Sequence, residues 1–246
     1  MKKTVISAAI TAACLVSTFT YAQSNNDTSF NPKISVILDG VYYSDNKGGD
    51  GIEHIEEMSG ILGSHGHDEE EHGHGELKRG FNIREAELTM SGTVDPHLDA
   101  WITVAFSNGE TEIEEAYFET RSLPSGWKIK AGKFFSGIGY HNQQHLHSWA
   151  FSDQTLAHQT FFGDHGLVDS GLQITYLPAT PFYTLVGVEV FQGEQDKFGA
   201  EVEHDDLTED AGPRLSTAFL KIAPEIGTDS ELQLGLSLAR AGQHQE

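Results

Sequence analysis

From about residue 30 onward, apolar and polar positions alternate with a period of two. The clearest case is Ser230 to Arg240, where Leu232, Leu234, Leu236 and Leu238 alternate with Gln233, Gly235, Ser237 and Ala239. One face of that segment is pure leucine, the mark of a strand. In Leu98 to Ser107, Leu98, Ala100, Ile102, Val104 and Phe106 alternate with Asp99, Trp101, Thr103, Ala105 and Ser107. Glu85 to Val94 sets Ala86, Leu88, Met90 and Val94 against Glu85, Glu87, Thr89 and Ser91, and Ile113 to Arg121 sets Ala116 and Phe118 against Glu115, Tyr117, Glu119 and Arg121. Less clean alternation predicts strands at Lys33–Tyr43, Gly126–Phe135, Val168–Leu177, Phe182–Phe191 and Arg214–Ala223. These segments run to about ten residues, the length a tilted strand needs to cross a bilayer and more than the five or six usual in soluble sheets.

The connections follow a second pattern. Asp95-Pro96, Leu123-Pro124-Ser125-Gly126, Pro178-Ala179-Thr180-Pro181 and Ala223-Pro224-Glu225-Ile226-Gly227 are short Pro/Gly turns at every second junction. The long connections, Ser44 to Lys78, Ser136 to Leu167 and Gln192 to Pro213, fall between them, and the Asn108-Gly109 turn breaks the alternation. Short turns on one rim and long loops on the other describe an outer-membrane barrel with its N-terminus on the short-turn side. A secreted β-sandwich has the same period of two. Strand length, rim asymmetry and aromatics near strand ends (Tyr42, Tyr43, Trp127, Tyr176, Phe182 and Tyr183) favour the barrel. The expected fold class is therefore all-β, an antiparallel transmembrane β-barrel. Because nine strands are an odd number and the chain ends just after an apolar strand, the reading is the truncated front portion of a larger barrel.

Composition narrows the function. The 246 residues carry 15 Lys+Arg against 37 Asp+Glu, a formal net charge of −22. Such a surface repels phosphate backbones, so nucleic acid is not an expected partner. Met1-Lys2-Lys3, the apolar run Val5 to Phe19 and Thr20-Tyr21-Ala22 before Gln23 form a secretory signal peptide. Its cleavage removes the single cysteine, Cys14, so the mature chain has no thiol chemistry. The expected organisation is a signal peptide over 1–22, a linker over 23–32 and a partial outer-membrane β-barrel over 33–246, with loops at 44–78 and 136–167. The expected location is the outer membrane of a Gram-negative bacterium.

Several segments carry a resemblance. Gly132-Lys133-Phe134-Phe135, Gly139-Tyr140-His141-Asn142, His145-Leu146-His147-Ser148-Trp149, Pro181-Phe182-Tyr183 and Gly80-Phe81-Asn82-Ile83-Arg84-Glu85-Ala86-Glu87-Leu88 make the chain similar to a family of Gram-negative outer-membrane porin-like proteins. These are labelled zinc-regulated or TonB-dependent outer-membrane receptors and are loosely similar to the phosphate-selective porins O and P. The resemblance implies a channel for small solutes, with outer-membrane lipid as its surroundings. By analogy with general porins it also implies a homo-oligomer. There are two departures. No plug domain precedes the strands, and where phosphate selectivity requires a lumen rich in Lys or Arg, the inferred inward faces set Glu85, Glu87, Asp99, Glu115 and Glu119 against Arg84, Arg121, Lys128, Lys130 and Lys133, which does not favour an anion channel.

Histidines supply the candidate chemistry. Ser64 to Glu76 reads SHGHDEEEHGHGE, with His65, His67, His72 and His74 beside Asp68 and Glu71. Two His-x-His pairs spaced by glycine can turn imidazoles onto one ion, and Zn²⁺ accepts nitrogen together with carboxylate oxygen. The alternative is a solvated acidic loop in which metal binding is incidental. A second group, His141, His145 and His147, lies in 136–167 among Trp149, Phe151, Phe161 and Phe162, too apolar a setting for a free loop. Porins often fold such a loop into the lumen; a packed rim loop is the other reading. The chain contains no Gly-x-Ser-x-Gly or His-Glu-x-x-His motif and its acids are too numerous to nominate a pair, so neither an enzyme nor an organic cofactor is expected. The sequence predicts an acidic channel with metal-binding loops, Zn²⁺ being the expected ion. A secreted or periplasmic metal-sequestering β-protein without a pore is the alternative.

Overall fold

The structure is a computed structural model and describes residues 32–44, 79–107, 110–151, 154–163, 165–194, 198, 200–202, 213–241 and 243–245. The nine expected strands form one antiparallel sheet in chain order, each bonded to the next: β1 (Lys33–Tyr43), β2 (Gly80–Asp95), β3 (Leu98–Ser107), β4 (Glu110–Thr120), β5 (Trp127–Phe135), β6 (Val168–Tyr176), β7 (Tyr183–Phe191), β8 (Leu215–Ala223) and β9 (Leu234–Ala241). Two strand starts differ most from the sequence reading. β2 starts at Gly80 because Gly80 to Ile83 pair with Gly40 to Tyr43 of β1. Ser230–Glu231 leave β9 to pair with Glu225–Ile226 in a separate two-stranded turn. Beyond the sheet lie a 3-10 turn (Leu146–Ser148) and a short helix α1 (Leu156–Phe162), whose N-cap Thr155 accepts from the His158 amide. No helix among the described residues is long and apolar enough to cross a membrane.

The two faces of the sheet are chemically opposite. Ile34, Val36 and Leu38 of β1, Val186, Val188 and Val190 of β7, Leu220 of β8 and Leu234, Leu236 and Leu238 of β9 are all exposed. Registers such as Ile34↔Met90 and Leu236↔Leu220 put them on one side. On the other side Glu85, Glu87, Thr103, Gln173, Thr175, Glu189, Thr217 and Lys221 are buried. Among the described residues, no second β-layer covers the leucines. Aromatics mark both ends of the strands. Trp127 stacks on Tyr176 with centroids 4.7 Å apart, and Tyr42 meets Phe81 edge-on at 5.1 Å.

The described residues of 136–167 lie across the polar face. Asn142 ties the two ends of this segment together, donating to Ser136 O and Leu167 O (both 2.9 Å) and accepting from Leu167 N (2.7 Å). Buried Glu189 accepts from Gly137 N (2.8 Å) and Gln173 Nε2 (2.6 Å), and also from the hydroxyls of Ser136 and Thr217. Beneath the segment Phe134, Ile138, Leu167, Phe191 and Leu215 form an apolar cluster. Each such side chain contributes about 1.5–3 kcal/mol on burial, enough to hold the segment down.

The contacts of this segment also reveal the shape of the sheet. Gly139 N donates to Ser237 Oγ on β9 at 3.0 Å, and Lys221 Nζ on β8 donates to Gln143 Oε1 at 2.7 Å. His147 Nδ1, eight residues beyond Gly139, lies 3.2 Å from Glu87 Oε2 on β2. In a flat sheet β2 and β9 stand seven spacings apart, about 34 Å. Eight extended residues reach about 28 Å, and these are wound into turns. The sheet is therefore strongly curled, with its polar side concave and its apolar side convex.

Candidate functional site

The concave face holds one dense group of ionisable side chains. The period of two directs Glu85 and Glu87 of β2 and Glu115 of β4 inward, and a β-bulge adds Glu114. Thr103 of β3 pairs with Glu115 while the next residue, Val104, pairs with Ile113. Glu114 is thus the extra residue, turned to the same side as Glu115 and buried. A matching irregularity between Asp39 and Gly40 turns Arg84 inward beside Glu85, where it forms an ion pair with Asp39.

Into this group the 136–167 segment inserts two imidazoles. His145 Nδ1 lies 3.0 Å from Glu114 Oε2 and 3.2 Å from Glu87 Oε2, and its Nε2 lies 3.1 Å from Glu115 Oε2. His147 Nδ1 lies 3.2 Å from the same Glu87 oxygen. Phe135 packs edge-on against the His145 ring, with centroids 5.1 Å apart. Burial alone disfavours the charged form of His145. Hydrogen bonds with Glu114 and Glu115, together with the Glu87 carboxylate 3.2 Å away, outweigh it and push the His145 pKa up to about 12. Glu87 Oε1 accepts from Thr89 Oγ1 at 2.7 Å, but Glu87 Oε2 and His147 Nδ1 are buried without a hydrogen-bond partner. Two sets of possible ligand atoms, Glu85–Glu87–His147 and Glu87–Glu114–His145, each gather within 4.8 Å.

The structure unites part of the sequence-derived site and separates the rest. His145 and His147, expected as metal ligands, meet Glu85, Glu87 and Glu115, expected as lumen acids. His141 does not join them. Its ring lies 5.0 Å from Trp149 and 5.2 Å from His158, measured between centroids. Asp99 and Glu119 are engaged elsewhere: Asp99 accepts from Thr93 Oγ1 (2.8 Å) and faces Arg121 (3.4 Å), and Glu119 forms an ion pair with Lys128. His65, His67, His72, His74, Asp68 and Glu71 lie outside the described residues. The sequence reading missed Glu114, because strict alternation assigns it to the convex side and only the bulge reverses it. The register shift had no local signal in the chain.

Comparison with known proteins adds one relative. No family model matches the chain, and no solved structure matches it. The chain is 40% identical over 216 residues to an uncharacterized protein of Aquifex aeolicus (strain VF5), an overlap of 86% of this chain and 45% of that protein. The chain thus spans about half the length of the curated relative it matches.

Proposed function

We propose that this chain forms the wall of a porin-like outer-membrane β-barrel channel for small solutes or cations. The observation that carries the reading is the inverted burial: Val186, Val188, Leu236 and Leu238 exposed on the convex face, Glu85, Glu87, Glu189 and Lys221 buried on the concave one. In water a contiguous apolar face of this extent drives association. Against hydrocarbon it is at home, and the concave acids then line an aqueous lumen. β1 and β9 each have one neighbour in the sheet. Closure in lipid requires partners for their free edges, because an unpaired backbone there costs several kcal/mol per group. The 136–167 segment, lying on the concave face, narrows the lumen. The acids raise the local cation concentration, and the His/acid tract at 64–76 binds divalent metal, zinc above all, at the mouth.

Fractionation tests this reading. The channel stays with detergent-extracted outer membrane and migrates differently in unboiled gels. Recovery of the chain in the soluble periplasmic or secreted fraction would overturn it in favour of a metal-sequestering β-protein. Planar-bilayer recording then reads selectivity, and anion preference would remove the cation bias.

A further inference from the structure

We infer that His145, His147, Glu87 and Glu114 form a transition-metal site for Zn²⁺ or a similar divalent ion, which ties the 136–167 segment to the β2 and β4 wall. It is separate from the His-rich tract at 64–76 and deepens the channel reading, because under that reading the ion sits at the narrowed lumen.

Geometry is the first support. Metal–ligand bonds of about 2.0–2.2 Å in a tetrahedral shell put neighbouring donor atoms about 3.3–3.5 Å apart. His145 Nδ1 lies 3.0 Å from Glu114 Oε2 and 3.2 Å from Glu87 Oε2, and the donor atoms of these three residues all gather within 4.8 Å; His147 Nδ1, 3.2 Å from the same Glu87 oxygen, is the fourth donor that a bound ion draws in. The second support is independent of the cluster's charge. Glu87 is only 5% exposed, yet its Oε2 has no hydrogen-bond partner, and neither has the facing His147 Nδ1. Two imidazole nitrogens stand 3.2 Å from that oxygen without hydrogen-bond geometry toward it, and coordination would satisfy the oxygen and His147 Nδ1 at once. Third, the surroundings suit a ligand histidine. With His145 Nδ1 on the metal, its Nε2–H donates to Glu115 Oε2 at 3.1 Å, which sets the tautomer and strengthens the ligand. Glu115 is a positioning residue here.

Charge and donor type set the class of ion. Four carboxylates, Glu85, Glu87, Glu114 and Glu115, surround two imidazoles, while the neighbouring cations Arg84, Lys128 and Lys133 form ion pairs with Asp39, Glu119 and Glu112 and Lys130 lies over the Tyr117 ring. A divalent ion that takes the place of the His145 ring proton keeps the carboxylates compensated. Two nitrogen donors favour Zn²⁺, Co²⁺ or Cu²⁺ over Mg²⁺ and Ca²⁺, which prefer all-oxygen shells.

The test uses the full chain purified in detergent, with His65, His67, His72 and His74 replaced by Ala so that the tract contributes nothing. Calorimetry with Zn²⁺ is expected to give about one equivalent bound, and Co²⁺ to give the visible absorption of a four-coordinate site with nitrogen ligands. Glu87→Gln and His145→Gln should each weaken Zn²⁺ by at least tenfold. Glu115→Gln should weaken it about 10–100-fold while leaving the Co²⁺ spectrum four-coordinate. Absence of zinc binding, indifference to Glu87→Gln and His145→Gln, or a six-coordinate Co²⁺ spectrum in the unsubstituted site would each overturn the inference. The Co²⁺ spectrum needs no substitution at the cluster, so a variant that fails to fold does not decide the outcome. Bilayer current is read separately: a chain that conducts but binds no zinc defeats the site alone, and one that binds zinc but passes no current defeats the channel alone.

Discussion

Val188→Arg is the most direct probe of what lies against the convex face. Val188 is 51% exposed in the middle of the sheet, with Ile174 of β6 and Ala218 of β8 directly opposite. β7 has nine residues and Val188 follows its midpoint, Gly187. At about 3.3 Å per residue and a tilt near 45°, such a strand projects about 21 Å along the membrane normal, which places its centre near the middle of an apolar band about 25 Å tall. An Arg facing lipid at that depth costs about 2–4 kcal/mol, or roughly a 30- to 1,000-fold change in the folding equilibrium. The same substitution on a water-facing surface changes stability by about 0.5 kcal/mol at most. Denaturant titration of the chain folded into lipid vesicles, followed by tryptophan fluorescence, measures the difference, with Val188→Ile as the apolar control. A shift for Val188→Arg no larger than that of the control would refute the lipid-facing assignment.

Three further outcomes are expected. Glu189→Leu leaves the Gly137 amide, Gln173 and two hydroxyls without their acceptor; at about 1–3 kcal/mol for each unpaired buried group, a loss of at least 3 kcal/mol and faster exchange of the Gly137 amide should follow, and unchanged exchange would contradict the docking role. Gly187→Ala drives a methyl to within 2.1 Å of Phe219 Cζ, so overpacking should cost about 1–3 kcal/mol in the same titration. His158 has both ring nitrogens buried without partners, and burial together with nearby His141 holds its pKa below the usual 6.5. The unfolded chain therefore takes up the proton more readily; this contribution is complete above about pH 6.5 and fades as pH falls toward the folded value. Exchange protection of 154–163 should drop across that window in the wild type and change less in His158→Leu; equal profiles would remove His158 as the cause.

How much of this was legible beforehand depended on whether the signal is local. Alternation along each segment was enough to locate all nine strands, because a half-buried strand repeats every two residues whatever lies beside it. The same rule placed Glu85, Glu87 and Glu115 together on one face and Leu234, Leu236 and Leu238 on the other. The apolar residues among the histidines of 136–167 already indicated that this segment is not free. Pairing register, by contrast, is a property of two strands at once. The bulges that turn Arg84 and Glu114 inward leave no mark in their own segments.

The amino-acid sequence by itself determined the strands, their faces and the acidic, histidine-rich character of the chain, since each follows from neighbours in the chain and from composition. Only the tertiary structure decided that His145 and His147 meet Glu87 and Glu114 while His141 turns to Trp149 and His158. The physical reason is sheet curvature: it brings β2 and β9 within reach of one twelve-residue stretch, Ser136 to His147, and so joins residues that lie about 60 positions apart in the chain.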